Sequence, residues 1–237
     1  MKDKIIYMAL ACLLVVAGKT YAAENVDIGS IIKNIDVAAV QEMIKEGIDV
    51  NARDDNGKTF LLYALLDVDN LAVAQYLIEQ GADVNAPSRQ TGVTPLIVAT
   101  STADKLQKQT IKYYETQNKV TDEEVEKLIV HQMAHALNML KMLIEGGADI
   151  NQETPIGTPL MNAATNEWNI DIVDMLLKAG ADVNQKDRYG RTALFYASAN
   201  NCNSIITKLL KAGADIEIKD IDGKNYMDIT KDDFIKY

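Results

Sequence analysis

The chain has 237 residues, 48% of them apolar and 24% charged, the composition of a folded globular protein rather than a disordered one. Its formal charge of −10 argues against general nucleic-acid binding and against attraction to an anionic membrane, since both draw on a basic field. Two cysteines are too few for a disulfide-rich scaffold.

Lys2 and Lys4 precede an uncharged run from Ile5 to Ala17, and Thr20 and Ala22 place small residues at the −3 and −1 positions of a cleavage site. This pattern predicts a secretory signal peptide over residues 1–22, cut after Ala22. The run falls short of the roughly 20 residues that a spanning helix needs, so no membrane span is expected after cleavage. Cys12 sits inside the run rather than at its end, which disfavours lipidation. Cleavage also leaves Cys202 without an internal disulfide partner, even in an oxidising compartment.

The rest of the chain repeats. A phrase of the form Gly-Ala-Asp-Val-Asn begins at Gly47, Gly81, Gly147, Gly180 and Gly213, and its last residues are spaced by 34, 66, 33 and 33. Thr94-Pro95-Leu96 and Thr158-Pro159-Leu160 each open a short helix, with threonine as cap and proline at the first helical position. Thr59-Phe60-Leu61 and Thr192-Ala193-Leu194 are weaker versions. A second helix follows in each unit, such as Ile170 to Ala179, where Ile172, Val173, Leu176 and Leu177 form an apolar stripe. Gly180 then suits a left-handed position just past the helix end. Asp55-Asn56-Gly57, Tyr189-Gly190 and Asp222-Gly223 carry turn chemistry.

These phased motifs closely resemble ankyrin repeats, over about residues 26–237. The resemblance implies an all-α solenoid of helix–turn–helix units joined by β-hairpin loops. It also implies a non-catalytic role without a cofactor, in which hairpin tips and inner helices bind another protein. The ankyrin-like domain spans 23–237: a cap at 26–51, repeats at 52–85, 86–151, 152–184 and 185–217, and a C-terminal cap at 218–237. In the last, Tyr226 to Asp233 is expected to be helical, and Lys231-Asp232-Asp233 to face water.

The 86–151 unit breaks the period. No second Gly-Ala-Asp motif stands near Thr116, as two repeats would require. Thr121 and Glu124 form a capping box, and Val125, Leu128, Ile129, Gln132, Ala136, Leu137, Leu140 and Leu143 then keep helical spacing. The reading is one repeat with an elongated helical hairpin, each arm longer by about four turns. Such an insertion is either an added binding surface, with Tyr113 and Tyr114 near its tip, or drift or self-packing.

Little here points to chemistry. His131 and His135 share one helix face, but the glutamate of a zinc-protease motif is missing and one helix supplies too few ligands. A solvated face is expected. Cys202 falls between an inner and an outer helix, far from any histidine in sequence, and reads as a turn residue. Trp168, at the matching turn one repeat earlier, is either a binding anchor or a cover over the seam between repeats, and the seam is favoured. Asp220-Ile221-Asp222-Gly223 echoes a calcium loop without its later ligands.

The four arginines, Arg53, Arg89, Arg188 and Arg191, all fall in the hairpin tips, whereas the helices use lysine. Lys58, Lys186, Lys219 and Lys224 fall there too, with Asp55, Asn56 and Gln90 beside them and Tyr189 between two arginines. Exposure explains charge at the tips, but not the choice of arginine, which pairs bidentately with carboxylates. These residues are the candidate partner-binding set, for a protein with an acidic patch. The expected protein is an exported bacterial scaffold, periplasmic or secreted. An immunity-type inhibitor of a toxin or enzyme is the second reading, and a metal-dependent enzyme using His131 and His135 the third.

Overall fold

The protein is described here by a computed structural model, which covers residues 37–66, 70–102 and 122–229. It divides into two compact units, residues 1–98 and 99–237.

In the first unit, α1 is Val37–Lys45, α2 is Phe60–Leu66 and α3 is Leu71–Glu79. α2 reads Phe-Leu-Leu-Tyr-Ala-Leu-Leu and buries Phe60, Leu61, Leu62, Ala64 and Leu65. Seven residues are too few to be helical alone in water, so burial against α3, through Val73, Ala74 and Leu77, sustains the helix. The Thr59 hydroxyl starts it by accepting from the Leu62 N–H at 3.2 Å. A fourth helix, α4, covers 95–102 and crosses the boundary between the units. It opens the same way, with Thr94 accepting from the Ile97 N–H at 3.3 Å.

In the second unit, α5 is Asp122–Glu145, α6 is Pro159–Ala163, α7 is Ile170–Lys178, α8 is Ala193–Ala199 and α9 is Asn203–Lys211. The Thr158 side chain accepts from the Met161 N–H and Pro159 stands at the start of α6, as the Thr-Pro-Leu pattern predicts. Thr192 sits at the start of α8 without a side-chain cap. α5 has 24 residues against nine in α3, α7 and α9, an excess of about four turns. It therefore supplies the second arm of the expected elongated hairpin, and it buries Ala136, Met139, Leu140 and Leu143. Thr121, Tyr113, Tyr114, the remainder of the first arm and the side chains of Val125, Leu128 and Ile129 lie outside the described residues. So do the signal peptide, Cys12 and the tail Lys231-Asp232-Asp233.

The recurring phrase has a physical division of labour. Its glycine holds a positive φ at all five copies, between 88° and 94°, and closes the preceding helix. At Gly180, for example, the Gly180 N–H donates to the Leu177 carbonyl and the Ala181 N–H to the Leu176 carbonyl. The aspartate makes a local turn. Asp49, Asp83, Asp149, Asp182 and Asp215 each accept from the backbone N–H two residues on, all at 2.9 Å. The asparagine reaches the next repeat. Asn184 donates to the Gly213 carbonyl at 3.1 Å and accepts from the Asp215 N–H at 2.8 Å. Asn151 does the same with Gly180 and Asp182, and Asn51 with Gly81 and Asp83. Val84 and Val183 of the phrase are buried, whereas Ile216, in the last copy, is exposed.

Among the described residues the hairpin loops are held by the isolated antiparallel bridges Arg53–Thr59 and Thr154–Gly157 and carry no longer strand. One expectation changes. Residues 226–228 form a turn rather than the start of a helix over Tyr226 to Asp233. Ile229 instead packs on Phe195 and Ala199 beside Ile218 and Tyr226, so apolar burial, not helix propensity, fixes this segment.

Candidate functional site

Three hairpin tips are closed by an aspartate that points inward, and Ser88 and Thr154 stand at the corresponding place in two others. At the tip beginning with Asp187, one carboxylate oxygen accepts from the N–H groups of Tyr189 and Arg191, and the other from the Tyr196 hydroxyl at 2.8 Å. Asp54 repeats this arrangement, accepting from the Lys58 N–H at 2.8 Å and the Tyr63 hydroxyl at 2.6 Å. Asp220 accepts from the N–H groups of Asp222 and Lys224. Burial alone would raise the Asp54 carboxyl. The Tyr63 hydroxyl and the N–H groups of Lys58 and Asn56 outweigh it and hold the group below its ordinary value. Burial, helped by the Asp187 carboxylate, pushes the Tyr196 hydroxyl above its ordinary value.

Successive tips touch. In the first unit the Gln90 N–H donates to the Asn56 carbonyl at 3.2 Å. In the second, the Ile221 N–H donates to the Tyr189 carbonyl at 3.0 Å. A Cβ on Gly190 would lie 3.2 Å from the Asp220 Cα, so this close approach requires glycine.

The basic residues expected at the tips separate into two groups. Arg89, Lys186, Arg188 and Lys219 are exposed, as are Asp55, Asn56 and Gln90. The Arg188 guanidinium lies 4.8 Å from the centroid of the half-buried Tyr189 ring. Lys58 and Lys224 are half-buried, and the Lys58 ammonium sits 5.2 Å from the Tyr63 ring centroid. Arg53 and Arg191 turn inward. Arg53 Nη1 donates to the Gly57 carbonyl at 2.9 Å and to the Pro87 carbonyl at 2.6 Å, stapling its own tip to the next segment. Arg191 is only 2% exposed, with its Nε 3.5 Å from the buried Asp220 carboxylate. The expectation that Arg191 presents a surface charge is corrected. The following hairpin covers it, and burial against a carboxylate explains arginine here without any partner.

A family model described as "Ankyrin repeats (3 copies)" matches residues 29–113 and 129–220, more than half of the chain. The chain belongs to the ankyrin repeat family. It is 38% identical over 65 residues to the ankyrin repeat protein FPV233 of fowlpox virus (strain NVSL), a stretch that makes up 27% of this chain and 13% of the viral protein. The chain thus covers far less than two thirds of that relative's length.

The ankyrin fold gives the remaining residues their places. On the inner helices, the Asn162 side-chain carbonyl accepts from the hydroxyls of Thr100 and Ser101, both at 2.9 Å, and Tyr63 and Tyr196 are half-buried. On the outer helices, Asp174 bridges Lys178 and Lys208, each at 2.5 Å, and the two lysines hold its carboxyl below its ordinary value. This is an ion-pair network that satisfies itself. His131 is exposed and His135 half-buried, and among the described residues no group of three His, Cys, Asp or Glu could hold a metal ion. Cys202 is buried at the start of α9. No helix among the described residues is long and apolar enough to cross a membrane.

Trp168 departs from expectation. It is 58% exposed rather than covering a seam. Its neighbour makes a seam contact instead. Glu167 accepts from the Ser204 N–H at 2.9 Å, while buried Asn169 joins the two helices of its own repeat by donating to the Ala163 carbonyl at 3.1 Å. Sequence reasoning also missed Ile156 and Ile221, which stand exposed on hairpin tips. The available signal was an isoleucine inside Thr-Pro-Ile-Gly and Asp-Ile-Asp-Gly, turns that ordinarily take small or polar residues.

Proposed function

We propose that this ankyrin chain is a non-catalytic scaffold that is exported, to the periplasm or beyond the cell, and binds a protein partner with an acidic patch. The contact uses the hairpin tips and the inner-helix groove. One observation carries the reading: an acidic protein displays Arg89, Lys186, Arg188 and Lys219 outward on its tips while spending Asp54, Asp187 and Asp220 on bonds inside the tips. Complementary charge would steer such a partner and set its register. Export rests on the predicted signal peptide at 1–22.

The test is a pull-down from the native envelope and culture fluid with the wild-type chain and with an Arg89→Glu/Lys186→Glu/Arg188→Glu/Lys219→Glu variant. Arg53 and Arg191 are left intact because they hold the fold. The expected result is a partner retained by wild type, weakened by salt and lost by the variant. A partner held equally by both would overturn the tip reading.

A further inference from the structure

The three tips of residues 99–237 carry apolar side chains where turns normally carry polar ones. Ile156 is 46% exposed and Ile221 is 61% exposed. Tyr189 lies between them in the repeat order, under the Arg188 guanidinium. The tip of Tyr189 is bonded to that of Ile221 through the main chain. Ile156 holds the same turn position as Tyr189 one repeat earlier, and Gln185 and Asn151 fasten those two repeats together. The tips of residues 1–98 differ: apart from Pro87, their exposed residues are polar, among them Asp55, Asn56, Arg89, Gln90 and Thr91. Two exposed isoleucines flanking a half-buried tyrosine, rimmed by polar groups, mark a contact surface. The rim is basic on balance, with Lys186, Arg188 and Lys219 exposed against exposed Glu153 beside the first tip and Asp222 on the last, while Asp187 and Asp220 are spent on internal bonds.

We propose that these three tips form a docking ridge for an extended acidic segment of a partner protein. Its apolar side chains seat on Ile156, Tyr189 and Ile221, and its carboxylates meet Lys186, Arg188 and Lys219. The proposal rests on the scaffold reading above and narrows it to one end of the chain and one ligand chemistry. A second copy of the chain is a poorer occupant, because two basic ridges repel.

The probe is a displayed library of random 12-residue peptides, selected on the full chain, with enriched peptides then titrated by fluorescence polarisation. Enriched sequences are expected to interleave Asp or Glu with Leu, Ile or Phe. They should bind an Ile156→Ser/Ile221→Ser variant about tenfold more weakly and a Glu42→Ala variant, on an exposed helix face outside the tips, unchanged. These substitutions sit on exposed positions, and an unchanged urea midpoint shows that the fold is kept. Equal binding by the isoleucine variant, or peptides without acidic residues, overturns the ridge. An Asn56→Ala/Arg89→Ala variant is titrated beside them, and loss of binding in it alone overturns the ridge yet leaves the scaffold reading standing. Failure to enrich any peptide, with binding to phosphatidylserine vesicles instead, overturns the ridge in favour of a lipid surface.

Discussion

One hairpin tip in residues 1–98 and one in residues 99–237 share an inward aspartate and tyrosine but are fastened by arginines of opposite character. Arg53 stays half-buried and donates to two neutral main-chain carbonyls. Arg191 is buried outright beside the carboxylate of Asp220. The first fastening leaves part of its charge in water and fails gradually. The second removes two ions from water together, so losing either partner strands the other. The same side chain thus marks a tolerant joint at one end and an intolerant one at the other.

The largest test of that contrast is Arg191→Ala. It should destabilise the protein by about 3–5 kcal/mol, read from urea unfolding, because the Asp220 carboxylate stays buried. The double variant Arg191→Met/Asp220→Asn should recover most of this loss, since no ion remains to be desolvated. A loss under about 1 kcal/mol in the single variant would break the comparison. Arg53→Ala should cost about 1–2 kcal/mol, the range for hydrogen bonds from a charged donor that water partly replaces.

Why the sequence disclosed one fastening and not the other is a matter of reach. The glycine, aspartate and asparagine of the phrase act on neighbours at a fixed offset, so their roles follow from a repeat of 33. Thr94 and Thr158 are legible for the same reason: a cap acts three residues away. Arg191 depends on how the next hairpin folds over it, and Trp168 on which of two adjacent side chains, Glu167 or Trp168, takes the seam. Those choices are made by packing between segments, where period and composition are silent. The tip arginines therefore read as one set, although half of them serve the fold.

Smaller effects sharpen the comparison. Asn184→Ala removes two bonds to the following repeat and should cost about 1–2 kcal/mol. Asp54 has a lowered folded value, so its contribution is complete above about pH 4, the unfolded carboxyl range, and is lost as pH falls through the folded value. Asp54→Asn should flatten that acid limb in urea midpoints taken from pH 2 to 6. Tyr196 has a raised value, so its contribution is complete below about pH 10 and is lost as pH rises further. Tyr196→Phe should delete a late, alkaline tyrosinate component from the ultraviolet titration. The smallest expected effect is Glu42→Ala. It breaks an exposed pair with Lys45 and should leave the urea midpoint unchanged.

The asparagine clamp bears on how such a chain can change length. Asn151 grips residues 29 and 31 positions ahead of it, and Asn184 grips residues at those same two offsets. Excision of residues 152–184 would therefore bring Asn151 to Gly213 and Asp215, the groups Asn184 holds now, and the joint would re-form with its chemistry intact. A genetic deletion or duplication of one such cassette leaves no scar at the seam. The repeat number of this half can drift by whole units without any new interface having to be invented.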